Sequence, residues 1–226
     1  MRDDFSQVGI TLRFPEGLPN LASLDSIRIT DTSVIVRAAA PAGRLEAEMV
    51  QRRWSWAGPS GKPVYNFRSE GREFRNSATG GRCLIPLDGF YEFTEPGTVA
   101  DRAGAGKDAG DAGGAGEQPY LLGAAPAPAA PPRKGARPRK DKWLFTLAEP
   151  EAGLFCVAGL WRADAKFGEA FTMLTGAPGP DIAPYHSRQI VLMPRDRWAA
   201  WLDDANPAGS LIEPTPAGTL RVERAR

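Results

Sequence analysis

Apolar residues in this chain fall in short runs. Ser33–Ala40 reads SVIVRAAA, Arg82–Pro86 RCLIP, Gly89–Phe93 GFYEF, Lys142–Glu149 KWLFTLAE, Gly153–Trp161 GLFCVAGLW, Ala170–Gly176 AFTMLTG and Arg188–Pro194 RQIVLMP, bounded mostly by Gly, Pro or Asp. Leu45–Met49 alternates apolar and polar side chains with period two. Runs of this length predict β-strands, and their number predicts a β-rich core. One late stretch has helical period. In Arg195–Asp204 (RDRWAAWLDD), Trp198, Trp201 and Leu202 stand at i, i+3 and i+4, with Pro194 before the first turn and Asn206-Pro207 beyond the end. No internal repeat is visible.

Between Gly97 and Lys142 the pattern vanishes into Gly-Ala and Ala-Pro steps. Such a segment cannot bury enough apolar surface to offset its ordering entropy, so it reads as a low-complexity insertion within a single domain spanning residues 1–226. It explains part of an unusual composition. The chain has 25 Gly and 21 Pro, together 46 of 226 residues, about 20% where average usage gives roughly 12%. The insertion holds 9 of the Gly and 6 of the Pro. The rest mark the turns of the folded part, which disfavours a helical bundle. The insertion ends in RKGARPRKDK, six basic groups and one acid, which reads either as a solvated linker or as a contact for polyanions.

Charge nearly cancels, 28 Lys+Arg against 27 Asp+Glu, so any anion-binding site must be local. No apolar run is near the length of a membrane span, which predicts a soluble protein with no membrane partner. Cys83 and Cys156 lack metal-ligand spacing and His186 is the sole histidine, so neither a metal nor another cofactor is expected and the thiols read as buried and reduced. With an acidic start (Met1-Arg2-Asp3-Asp4) in place of a basic leader, these features predict a cytoplasmic protein; no residue pattern sets the oligomeric state, and a monomer is the expectation.

Local charge is uneven. Between Gln51 and Arg82 stand seven basic residues (Arg52, Arg53, Lys62, Arg68, Arg72, Arg75, Arg82) and two acids, Glu70 and Glu73, a candidate phosphate-binding face. Trp54 and Trp56 beside Arg52 and Arg53 either stack on unpaired bases or pack inward from a strand edge. Glu92 shares a face with Phe90 by period two. It is either a carboxyl of raised pKa suited to moving protons or the solvent end of its strand. His186 follows a Pro-rich loop and is either structural or an acid–base group, with Arg188 two residues on expected to place a guanidinium beside the imidazole.

Four blocks in order resemble the SOS response-associated peptidase (SRAP) family over roughly residues 25–205. They are Asn66-Phe67-Arg68-Ser69-Glu70 (Asn-x-Arg-x-Glu), RCLIPLDGFYEF, AGLW at Ala158–Trp161, and FTMLTGAPGPDIAPYHSR ending in His-x-Arg. The resemblance implies a β-rich α/β (α+β) fold with a concave DNA-binding face and a few peripheral helices. The partner it implies is single-stranded or abasic DNA. In the family a cysteine exposed by removal of the initiator methionine captures the ring-opened abasic aldehyde through its amine and thiol. Asn66 would orient that nucleophile, Glu92 would move protons, and His186 would assist sugar opening or reversal. Arg68, Arg72 and Arg188 would hold phosphates, with Arg53 and Trp54 on the nucleic-acid side.

The family's Met-Cys-Gly-Arg-Phe is here Met1-Arg2-Asp3-Asp4-Phe5. A thiazolidine needs a 1,2-aminothiol, and Arg2 supplies none. Gly58-Pro59-Ser60-Gly61 stands where the family often carries a tryptophan pair, and Arg28-Ile29-Thr30-Asp31-Thr32 where it carries Arg-Tyr-Asn-x-Ala-Pro. Three functions follow as expectations: binding at abasic sites with at most a reversible Schiff base through the Met1 amine; a non-covalent single-strand-binding module; or a hydrolase, for which no nucleophile stands out, since Cys83 lies in an apolar run.

Overall fold

The computed structural model describes residues 1–19, 26–39, 46–99, 139–149, 151 and 153–225. Fourteen strands and two short α-helices are present among them: β1 Thr11–Arg13, β2 Thr32–Ala38, β3 Glu46–Trp54, β4 Trp56–Ala57, β5 Pro63–Val64, β6 Asn66–Arg68, β7 Gly80–Leu87, β8 Phe90–Thr94, β9 Asp141–Leu147, β10 Phe155–Asp164, β11 Gly168–Gly176, β12 Gln189–Ile190, β13 Leu192–Met193, β14 Leu220–Arg224, α1 Arg2–Gln7 and α2 Trp198–Leu202. The fold is the β-rich α+β class expected from the short apolar runs. The helical stretch at 195–204 forms a 3₁₀ turn at Arg195–Arg197 followed by α2, with Pro194 capping the first turn.

The main sheet runs β1-β3-β2-β7-β10-β11-β12, with β13 on β10 and β6 on β11. A parallel pairing of β3 with β11, Arg53 opposite Ala170 and Trp54 opposite Phe171, closes this sheet on itself. Strand alternation divides its side chains between two clusters. Ile35, Val50, Cys83, Ile85, Val157, Trp161, Phe171 and Met173 belong to one. Val34, Val36, Met49, Leu84, Cys156, Ala158 and Leu174 belong to the other, with Phe5 of α1 and Trp198, Trp201 and Leu202 of α2 packed on them. The first set faces inward: Arg37, Arg52 and Glu169, from β2, β3 and β11, meet one another there, and Arg37 lies 4.1 Å over Trp161.

Close packing explains the glycine of the AGLW block. A Cβ on Gly159 would lie 2.6 Å from Ile85 Cδ1 and 2.8 Å from Thr172 O. Any side chain there would push β10 away from its neighbours.

A second sheet, β14-β9-β8, covers the inner cluster with Phe90, Trp143, Phe145 and Leu220. The Asp88-Gly89 corner therefore carries the chain from the main sheet into this one. β8 and β9 pair antiparallel, so the insertion joins adjacent strands. Its base is tied by Gly97 N–H to Asp141 (3.0 Å) and by Lys140 to Glu95 (3.1 Å). Most of the insertion, 100–138, and Leu45 lie outside the described residues. No described helix is long and apolar enough to cross a membrane.

Candidate functional site

β6 runs parallel to β11 with Asn66 opposite Met173, Phe67 opposite Leu174 and Arg68 opposite Thr175. Partners in register share a face, so Asn66 and Arg68 project to the inner side with Met173 while Phe67 packs into the outer cluster. Both polar residues are exposed, and neither has a hydrogen-bond or ion-pair partner among the described residues. They are available to a ligand.

Glu92 stands opposite Trp143 in the second sheet and points with it and Phe90 toward the inner cluster. Glu92 is half-buried. Burial raises its carboxyl pKa above the usual value, opposed by the His186 charge and by a main-chain hydrogen bond at Phe93. Tyr185 anchors the histidine loop, its ring 5.0 Å from Trp143 and 5.2 Å from Phe145. His186 itself is exposed. Asn66, Arg68, Glu92 and His186 thus belong to the inner side of the molecule, and Glu92 lies within electrostatic reach of His186.

Arg188 departs from expectation. Its guanidinium does not lie beside the imidazole but forms a two-pronged pair with Glu70, 2.8 and 2.9 Å, and bonds Thr175 through Oγ1 and the carbonyl. The reason is local: β12 starts only at Gln189, so residues 186 and 188 do not alternate as in a strand. It is the Arg188 main chain that meets the imidazole, its N–H 3.1 Å and its carbonyl 2.8 Å from His186 Nδ1. Hydrogen bonds from Arg188 hold the Glu70 carboxyl down at about 2.

The other basic residues separate by partner. Arg52 is spent on Glu169 (2.6 Å) and Glu16 (2.7 Å). Arg53 bonds the Thr30 carbonyl and lies 4.2 Å over Phe167. Arg82 is buried and bonds the Phe74 carbonyl, so it is structural. Arg72 sits 4.7 Å over Phe67 and hence across β6 from Arg68. Trp56 is buried beneath Arg162. Trp54 is half-buried, edge-on to Tyr65, and donates to the Tyr65 carbonyl at 3.0 Å. The charge excess of this stretch is therefore not one face.

The amino terminus goes elsewhere. The Met1 ammonium is 2.7 Å from Asp4, and Asp4 also bonds Arg195, whose guanidinium lies over Trp198. Phe5 packs 4.8 Å from Trp198 in the outer cluster. The structure does not bring Met1 or the exposed Arg2 together with Asn66, Glu92 and His186, because α1 is docked on the outer face. Thr175 and Tyr185 were not legible as neighbours of His186 and Arg188, nor Asp4 and Arg195 as partners of the amino terminus.

Behind the Glu70–Arg188 pair lies a cleft of about 490 Å³ walled by Arg72, Ile190 and Ile212, which does not include Asn66, Glu92 or His186. Among the described residues no cluster of three or more His, Cys, Asp or Glu side chains could hold a metal.

A closed β-sheet with Asn66, Arg68, the half-buried Glu92 and His186 on its inner side fits the architecture of the SRAP family. The chain belongs to that family: the model of the SOS response associated peptidase (SRAP) family matches residues 26–225. The match includes β14, beyond the span that the sequence motifs cover. Among solved structures, a protein from Bordetella bronchiseptica is similar with a TM-score of 0.60 at 17% identity, over 100% of this chain and 96% of that one. That likeness concerns the fold. No curated protein matches the chain in sequence.

Proposed function

We propose that this SRAP-family protein binds single-stranded DNA at abasic sites and holds the damaged nucleotide without a covalent bond. The observation that carries this reading is the separation of α1, with its Met1–Asp4–Arg195 contacts on the outer face, from Asn66, Arg68, Glu92 and His186 on the inner side. A ring-opened abasic sugar offers an aldehyde and hydroxyls where a base would be. Glu92, with its raised pKa, donates a hydrogen bond when protonated. Asn66 donates and accepts, and His186 Nε2 has no described partner. Arg68 takes the flanking phosphate.

Imine formation needs a neutral amine at the aldehyde. Here the ammonium is paired with a carboxylate on the far side of the sheet. Hydrolysis by a thiol is equally unsupported: Cys83 and Cys156 are fully buried, and burial pushes both thiols up.

Equilibrium binding to matched single strands, with and without one abasic site, tests the proposal. Tighter binding of the abasic strand is the expected result. Equal binding would leave a general single-strand-binding module, and no binding to either strand would overturn the DNA reading.

A further inference from the structure

His186 is placed by a residue from a distant strand connection. Glu70 follows β6, the strand that carries Asn66 and Arg68, and grips both terminal nitrogens of Arg188. Thr175 on β11 takes Nε and Nη2 of the same guanidinium. The guanidinium is thereby tethered on both sides, and β12 begins at the next residue, Gln189. The Arg188 main chain meets His186 Nδ1 with a donor at 3.1 Å and an acceptor at 2.8 Å.

The same two groups serve both forms of the ring. Nδ1 accepts from the Arg188 N–H when the proton sits on Nε2, and donates to the Arg188 carbonyl when Nδ1 itself is protonated, in the neutral or the charged ring. Nε2 is left for the site in either form. The Arg188 side chain, with its donors turned to Glu70 and Thr175, has little left for a phosphate.

We infer that Glu70 is a positioning residue for His186, acting through Arg188, and that Arg188 is a strut of the site and not a phosphate ligand. The functional part of this inference rests on the abasic-DNA reading, whereas its geometric part concerns the free protein. Outer partners of this kind fix ring orientation and tautomer in other histidine sites.

Because His186 is the sole histidine, its two ring nitrogens give an unambiguous ¹⁵N spectrum. In the wild-type protein without DNA, the neutral ring is expected to hold one dominant tautomer, fixed by the Arg188 main chain. Glu70→Ala is expected to mix the tautomers and to reduce the preference for abasic over intact strands by about tenfold, with little change for the intact strand. Arg188→Lys keeps the charge but not the two-pronged fit, so it is expected to act in the same way if Glu70→Ala fails to fold. An unchanged tautomer in the folded variant would overturn the inference. So would tighter binding of intact strands by Glu70→Ala with a steeper salt dependence, because Glu70 would then be masking a phosphate ligand. If neither strand binds wild-type protein, the functional reading fails while the tautomer result still decides the geometry.

Discussion

The ammonium of Met1 lies 2.7 Å from the carboxylate of Asp4, and this contact belongs to the opposite side of the sheet from Glu92. Asp4 is partly buried. Burial raises its pKa, but hydrogen bonds and charge from the Met1 ammonium and Arg195 outweigh this and hold the carboxyl below its ordinary 3.8. A depressed carboxyl contributes stability above its unfolded value and loses it as pH falls through the folded one. Asp4→Asn is therefore expected to cost about 1 kcal/mol near neutrality. Denaturant melts should show that difference shrinking as pH drops below 3.8.

Glu92 has the opposite sign. Burial first, then the partial compensation from His186, leaves its carboxyl raised above 4.5. Its contribution is fully present below the unfolded value and is lost as pH rises through the folded one. Glu92→Gln, neutral at every pH, is expected to melt a few degrees higher than wild type near neutrality, on the order seen for small stability gains. The two proteins should melt alike in acid. The same substitution should weaken abasic binding, as expected where a site keeps a destabilising group for its chemistry.

Arg68 and Arg52 are close in sequence yet differ in freedom. Arg68 is exposed and unpaired, whereas Arg52 is paired with Glu169 and Glu16. Arg68→Ala is expected to lower the slope of log affinity against log salt by roughly 0.7, the value for one phosphate on a single strand. Arg52→Ala should leave that slope unchanged and lower stability instead. Salt titrations of strand binding separate the two.

Much of this arrangement was legible in residue order. The runs at 82–86, 142–149, 153–161 and 170–176 became β7, β9, β10 and β11 because strand alternation and bounding turns are local signals. Asn66, Glu92 and His186 stood out as a polar residue, a carboxyl and an imidazole in motif blocks. Closure of the sheet through Trp54 and Phe171 was not legible, since it joins residues far apart in sequence. Nor was α1, whose RDDFSQ contains one apolar residue and so no period. Arg188 misled because its direction depends on Glu70 and on where β12 begins, neither of which residue spacing reports.

Borohydride trapping on a single-stranded oligonucleotide with one abasic site tests the central claim most directly. Reduction converts any Schiff base into a permanent link visible on a denaturing gel. With α1 held on the outer face, wild-type protein is predicted to bind this strand yet yield no trapped band through the pH range in which an α-amine loses its proton. A trapped band that maps to Met1 would contradict the account, because it would place the amine at Glu92 and His186 after all.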